Sequence, residues 1–366
     1  MFTKLLLAAA LFAPRSSAAP PPSRRTPFGA FHPSCVRGVP SGSYISELAS
    51  GAARVRRPDG SEDIVARCAF DSPSPRARRP PVRPPGPPPA AGAPCHDYPP
   101  PSTCPPLWHG WPKHWWFGLS YASFTNPPLP AGQSVFSVNA SWRVPPLPAI
   151  RTGNASDPWY QEPPTESWWV GLQGGAVLQP VLELNGLAPR EYDAVSWACC
   201  AAGMAWYSFP LPALPGEGIV GSIVRVSGAE VGAADDLYVY ETVTGVRSAA
   251  RGDHDTRLFS DMSGAGTPGW APDWAEVVQE SYFVTACADL PCGAGAFADV
   301  HVSLAPAGLR FNDTVPADVA AVPWSRAYEI EGAAAPANAV CAGAATYNAT
   351  ARTAGVRFEC NASTAQ

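Results

Sequence analysis

Charged residues make up only 15% of the 366-residue chain. No apolar run reaches the ~18 residues of a membrane-spanning helix, which excludes a polytopic membrane protein. No segment holds a sustained 3.6-residue period with caps, so a coiled coil is excluded as well. There is no collagen-like repeat and no internal period of the solenoid or propeller kind. The chain also lacks HExxH, G-x-S-x-G, P-loop and Rossmann fingerprints. Its six histidines (His32, His96, His109, His114, His254, His301) are scattered without ligand spacing, so no metal and no organic cofactor is expected. What the chain has in excess is turn-forming residues, with 45 Pro and 32 Gly.

Residues Met1 to Ala19 have the layout of a secretory signal: Lys4, an apolar stretch Leu5–Ala13, then small residues Ser16 to Ala19. Ten cysteines, an even number, contain no C-x-x-C pattern. Five N-x-[ST] sequons mark Asn139, Asn154, Asn312, Asn348 and Asn361 as glycosylation candidates. These features together predict a secreted disulfide protein, extracellular or in an acidic endomembrane compartment. Sequence proximity suggests the pairs Cys35–Cys68, Cys95–Cys104, Cys287–Cys292 and Cys341–Cys360. Adjacent Cys199 and Cys200 are expected to pair outward or stay free rather than join each other.

The charge is split along the chain. Residues 16–107 carry 11 Arg against 6 acids, whereas residues 108–366 carry 12 basic and 24 acidic residues. The stretch 72–107 alone holds 15 prolines, which forbid helix and central strand there. Residues 20–107 therefore read as a basic, Pro-rich, disordered propeptide held partly by electrostatics, or as a solvated linker. Its arginines lack interleaved aromatics, so no nucleic-acid partner is expected.

From Trp108 the pattern is one of strands. Runs at 115–124, 134–144, 219–226, 237–243 and 298–304 are rich in β-branched and aromatic residues and are separated by Pro, Gly, Asn and Asp. They predict an all-β sandwich or barrel over residues 108–305. Residues 306–366 read as an Ala-rich extension that forms an extra hairpin or stays largely disordered. Arg251-Gly252-Asp253 matches a cell-adhesion triplet, a three-residue match of the kind chance supplies.

Two further segments carry polar groups where a core prefers apolar ones. Alternation puts Val177, Gln179, Val181 and Glu183 on one strand face, and Trp274, Glu276, Val278, Glu280 and Tyr282 on another. Such a face is either solvated or a concave substrate groove. The segments Trp169-Val-Gly-Leu-Gln-Gly174, Ala176-Val-Leu-Gln179 and Trp274-Ala-Glu-Val-Val-Gln-Glu-Ser-Tyr282 resemble, in order, the signature regions of the glutamic peptidases, the eqolisin family, and most closely a divergent branch of them. The resemblance covers about residues 115–304. Gln173 stands where the family has an aspartate, and Cys199–Gly203 replaces an aromatic-acidic run.

The resemblance implies a sandwich of two curved antiparallel sheets, a concanavalin-like jelly roll, and a monomer acting on protein or peptide substrates. It implies Glu280 and Gln179 as the catalytic pair, with Trp169, Gln173, Trp274, Glu276 and Tyr282 lining the substrate groove. In that scheme the glutamate is a general base for the attacking water, and the non-titrating Gln179 amide donates to the developing oxyanion. Acid activity then needs hydrogen bonds, from the amide or a tryptophan, that favour the ionised carboxylate. The competing expectation is a non-catalytic sandwich that binds carbohydrate or cell-wall polymer through its tryptophans. A third is a glycoside-active enzyme, in which Glu183 on a neighbouring strand pairs with Glu276 or Glu280.

Overall fold

A computed structural model of the chain describes residues 24–70, 116–123, 132–147, 165–173, 177–184, 191–226, 238–262, 272, 274–284, 293–306, 325–331, 342–348 and 350–359. The Pro-rich stretch 72–107, the signal segment, and Asn154, Asn312 and Asn361 lie outside the described residues. So do the cysteines at 95, 104, 287, 292, 341 and 360.

Two large sheets pack face to face. The N-terminal part supplies β1 (Arg24–Thr26), β2 (Gly29–Phe31), β3 (Val36–Val39), β4 (Ser43–Glu47), β5 (Ala53–Arg56) and β6 (Glu62–Val65). The middle supplies β7 (Trp116–Ser123), β8 (Gln133–Arg143), β9 (Thr165–Gln173), β10 (Val177–Leu184), β11 (Tyr192–Cys199), β12 (Ala205–Ser208), β13 (Leu211–Ala213) and β14 (Gly218–Val226). The rest are β15 (Val239–Arg247), β16 (His254–Asp261), β17 (Trp274–Val284), β18 (Gly293–Pro306), β19 (Ser325–Glu331), β20 (Ala342–Asn348) and β21 (Thr353–Glu359). Sheet I runs β19-β7-β17-β9-β10-β11-β12-β3, with β13 also on β11, and sheet II runs β20-β21-β18-β8-β14-β15-β16-β4-β5-β6. β1 and β2 pair only with each other.

The all-β sandwich expected from the strand pattern is the fold. β14 shows the reason most plainly: burial alternates along Gly218–Val226 with period two, as a strand with one face against a core requires. The inter-sheet core takes Trp168, Val170 and Leu172 from β9, Leu178, Leu182 and Leu184 from β10, and Ala275 and Val277 from β17. Sheet II meets them with Val138, Ala140, Trp142, Ile219, Ile223 and Tyr240. Each such buried aliphatic or aromatic side chain contributes about 1.5–3 kcal/mol.

Two expectations are corrected here. The sandwich extends beyond residues 108–305. β3 pairs parallel with β12, β4 pairs parallel with β16, and β19, β20 and β21 extend the other ends of both sheets. The two sheets are therefore mixed, and the parallel pairs come from the N-terminal strands. Residues 40–42 are enough to carry the chain from the edge of sheet I to sheet II. Gly42 turns there at φ 87°, a region that favours glycine, and its N–H meets the Arg257 carbonyl at 2.8 Å.

The second correction concerns cysteines. Cys35–Cys68 is joined as the sequence suggested, but Cys199 and Cys200 are joined to each other. With Cys35 and Cys68 already paired, no outward partner is left for them among the described residues.

Candidate functional site

The strands of sheet I have a second face, turned away from sheet II. Val177, Gln179, Val181 and Glu183 share it with Trp169 of β9, Val278 of β17, and Val195 and Trp197 of β11. The sequence allowed this face to be solvated or an open groove. In the structure it is neither. Gln179, Glu276 and Glu280 are 1–2% exposed, and the apolar residues between them form a second core. Part of its cover is the β1–β2 hairpin: Phe28, at 3% exposure, and Phe31, at 1%, belong to the same cluster.

The antiparallel register sorts the face into cross-strand rows. One row runs Glu276, Gly171, Gln179, Trp197 and Tyr207, the Gly171–Gln179 step being fixed by the pairs Val177–Gln173 and Val181–Trp169 on either side. The next is apolar: Val278, Trp169, Val181 and Val195. The third is polar again: Glu280, Ser167, Glu183 and Asp193. Trp274, Gln173 and Val177 lie in register beyond the first row, and Tyr282 lies opposite Thr165 beyond the third. The side chains of Gln173, Trp274 and Tyr282 are outside the described set.

Gly171 is what opens the first row. A Cβ there would stand 2.3 Å from Trp169 Cζ3 and 3.3 Å from Glu276 Cγ. The missing side chain lets the Trp169 ring and the Glu276 stem lie over the β9 backbone. Gln179 and Glu276 are two strand spacings apart, about 9.6 Å between Cα atoms, with the bare glycine between them. Gln179 Oε1 is buried and has no hydrogen-bond partner among the described residues.

Glu280 is placed differently. It is two strands away from Gln179 and four residues further along, about 16 Å in all. Its Oε2 accepts a hydrogen bond from Trp169 Nε1 at 3.0 Å. Glu183, across Ser167 from it, accepts one from Trp197 Nε1 at 3.2 Å. Each indole N–H stabilises a charged carboxylate in a place water barely reaches. The Ser167 hydroxyl between the two glutamates has no partner among the described residues. Sequence reasoning put Gln179 on one strand face and Glu276 with Glu280 on another, and the resemblance added Trp169. It could not find the rows, because register depends on how neighbouring strands align. Ser167 and Asp193 were not among the candidates.

Beyond this face, Arg251 of the Arg-Gly-Asp triplet is bound to Glu217, and Asp253 lies 3.8 Å from Arg247. The Arg251 hydrogen bond, with others from Ser248 and the Leu214 N–H, holds the Glu217 carboxyl down at about 2. Of the two sequons in described strands, Asn139 is half-buried and accepts from Ser222 Oγ at 2.6 Å, whereas Asn348 is exposed.

No family model matches the sequence, and no curated protein matches it. Among solved structures, the crystal structure of scytalido-glutamic peptidase with a transition state analog inhibitor aligns with 68% of this chain and 98% of that one. The identity is 14% and the TM-score 0.33.

Proposed function

We propose that the chain is a secreted endopeptidase that cleaves protein substrates at acid pH through a glutamine and a glutamate on the outer face of sheet I. The observation that carries this reading is the row Glu276–Gly171–Gln179. It sets a buried carboxylate and a buried amide in one cross-strand row on either side of Gly171, over which the Trp169 ring lies. In this scheme Glu276 takes a proton from a water as that water attacks the scissile carbonyl, and returns it to the leaving amine. Gln179 cannot titrate, so its amide N–H stabilises the oxyanion at any pH. Glu280, the base implied by the family resemblance, is instead held by Trp169 one apolar row away, where it orients that indole along the face. No metal or organic cofactor enters. Because the β1–β2 hairpin covers part of the face, the hairpin must leave before a substrate binds.

The test is digestion of a denatured protein at acid pH with pepstatin present, using wild type, Glu276→Gln, Glu280→Gln and Gln179→Ala. Loss of pepstatin-resistant cleavage in Glu276→Gln and Gln179→Ala, with activity kept in Glu280→Gln, is the expected result. Loss in Glu280→Gln alone moves the base to Glu280. No cleavage by wild type, even after the N-terminal segment is removed, ends the peptidase reading.

One observation supports a second reading, glycoside hydrolysis. Glu183 and Glu280 flank Ser167, each with a tryptophan donor, at a Cα separation of about 9.6 Å. Paired glycosidase carboxylates lie about 5–9.5 Å apart. Release of sugar from a polysaccharide, abolished by Glu183→Gln, would favour it.

A further inference from the structure

We propose that the apolar surface around Trp197, beside Gln179, is a subsite for an aromatic side chain of an extended peptide, occupied in this chain by its own Phe28. The inference rests on the peptidase reading and names the substrate class that the site would accept.

The hairpin forms no ladder with either large sheet. Buried side chains of the hairpin pack against sheet I, those of its tip and Phe31 among them. Thr26 and Phe28 are 2% and 3% exposed, and Pro27 between them is buried. The Phe28 ring meets Trp197 edge to face, with centroids 6.0 Å apart and planes at 85°. Such a geometry is favourable for two aromatic rings beyond the area they bury. Trp169, Val181, Val195 and Val278 complete the apolar surface. Its position gives it meaning. Trp197 stands in the row that carries Gln179 and Glu276, and Glu280 and Glu183 lie in the row beyond the apolar one. An aromatic residue seated there brings its neighbouring peptide bonds toward the row that carries Gln179. Phe28 is thus a built-in occupant, and the described contact is apolar rather than the electrostatic one expected from the charge split.

The remainder of the N-terminal region behaves differently. Cys35 is tied to Cys68, and β3 is part of sheet I. Emptying the subsite therefore requires only that residues up to Phe31 move, while β3 to β6 stay in the sandwich.

The experiment uses the full chain with Phe28→Ala and, as a probe, the free peptide Arg-Arg-Thr-Pro-Phe-Gly-Ala, capped at both ends and labelled for fluorescence polarisation. A control peptide has Ala in place of its Phe. The expected result is that Phe28→Ala binds the Phe peptide at least about 10-fold more tightly than the control, as burial of a phenyl ring implies. Wild type shows no such difference, and adding Trp197→Ala to the Phe28→Ala chain removes it. Phe28→Leu, which refills the seat in part, falls between. Equal binding of both peptides by folded Phe28→Ala overturns the proposal. So does a Phe28→Ala chain that no longer folds, since a seat emptied for substrate must leave the sandwich standing. Phe-selective binding without acid cleavage ends the peptidase reading and leaves the subsite intact. Cleavage with no preference for an aromatic residue beside the cut ends the subsite alone.

Discussion

The two faces of sheet I are both buried, and they are buried by different means. The inner face is covered by ten strands of sheet II and is lined by Trp168, Val170, Leu172, Leu178, Leu182 and Val277. The outer face is covered in part by a short hairpin, and on that face lie Gln179, Glu183, Glu276, Glu280 and Asp193, none more than 5% exposed. A folded chain puts carboxylates under cover only where something stabilises them, because burying an unpaired charge is costly. Here tryptophan N–H groups serve two of the glutamates. The inner face is built to be permanent. Under the proposed function the outer face carries chemistry, beside a hairpin that forms no ladder with either large sheet among the described residues.

The comparison can be broken first at Glu276. Under the proposed function, Glu276→Gln lowers the acid cleavage rate by about 10²–10⁴-fold without changing the melting temperature greatly, the ordinary contribution of a general base. A rate unchanged in that variant removes the distinction between the faces that matters most. Next in size, Leu182→Ala on the inner face should cost about 2–5 kcal/mol in urea unfolding. The hairpin side gives a contrasting readout: amides of residues 24–31 should exchange with deuterium well before those of β10, through local opening that leaves the core intact. Equal protection of the two would mean that both faces are closed as one unit.

Gly171→Ala tests the opening in the Gln179 row. The added Cβ meets Trp169 Cζ3 at 2.3 Å, so an overpacking cost of about 1–3 kcal/mol is expected, together with a changed Trp169 fluorescence. The inner face is not wholly apolar: Glu166, Ser196 and Gln279 are buried on it. Gln279 is 0% exposed, with neither amide atom partnered among the described residues, and it lies opposite Trp168. Gln279→Leu should raise stability by about 1–3 kcal/mol in thermal or urea unfolding, because it removes an unsatisfied buried amide and keeps the volume. A loss instead would show that the amide has a role across the core.

The smallest effect belongs to neither face. The Glu217 carboxyl is held at about 2 against an ordinary 4.5, so its bond to Arg251 contributes fully above 4.5 and is lost as pH falls through about 2. Glu217→Gln should therefore lower the melting temperature slightly at neutral pH, and the difference from wild type should vanish toward pH 2. A difference that persists at that pH would assign the effect to packing.

Much of this architecture is legible in the residues. Runs of β-branched and aromatic residues at 115–124, 134–144 and 219–226 correspond to β7, β8 and β14. The single segment read from Trp168 to Leu184 is two strands, β9 and β10, joined at the glycines 174 and 175. The N-terminal strands were hidden by composition. Charge and proline counts over residues 16–107 averaged a Pro-rich stretch together with Ser43-Tyr-Ile-Ser-Glu47 and Ala53-Arg-Val-Arg56, and the alternation of the second alone would have marked β5. For the candidate site, alternation put Gln179 with Val181 and Glu276 with Glu280. It could not say that Gln179 aligns with Glu276, since a shift of two residues in one strand keeps every face the same and changes every neighbour.

The sequence by itself determined the fold class and which side chains share a face, because strand geometry is local and repeats every two residues. The tertiary structure decided which of those side chains stand together and what covers them. Strand register and the docking of the hairpin depend on contacts between residues far apart in the chain. The Pro and Gly that interrupt the chain mark where strands end, but only packing determines that Phe28 at the hairpin tip meets Trp197 in the row of Gln179.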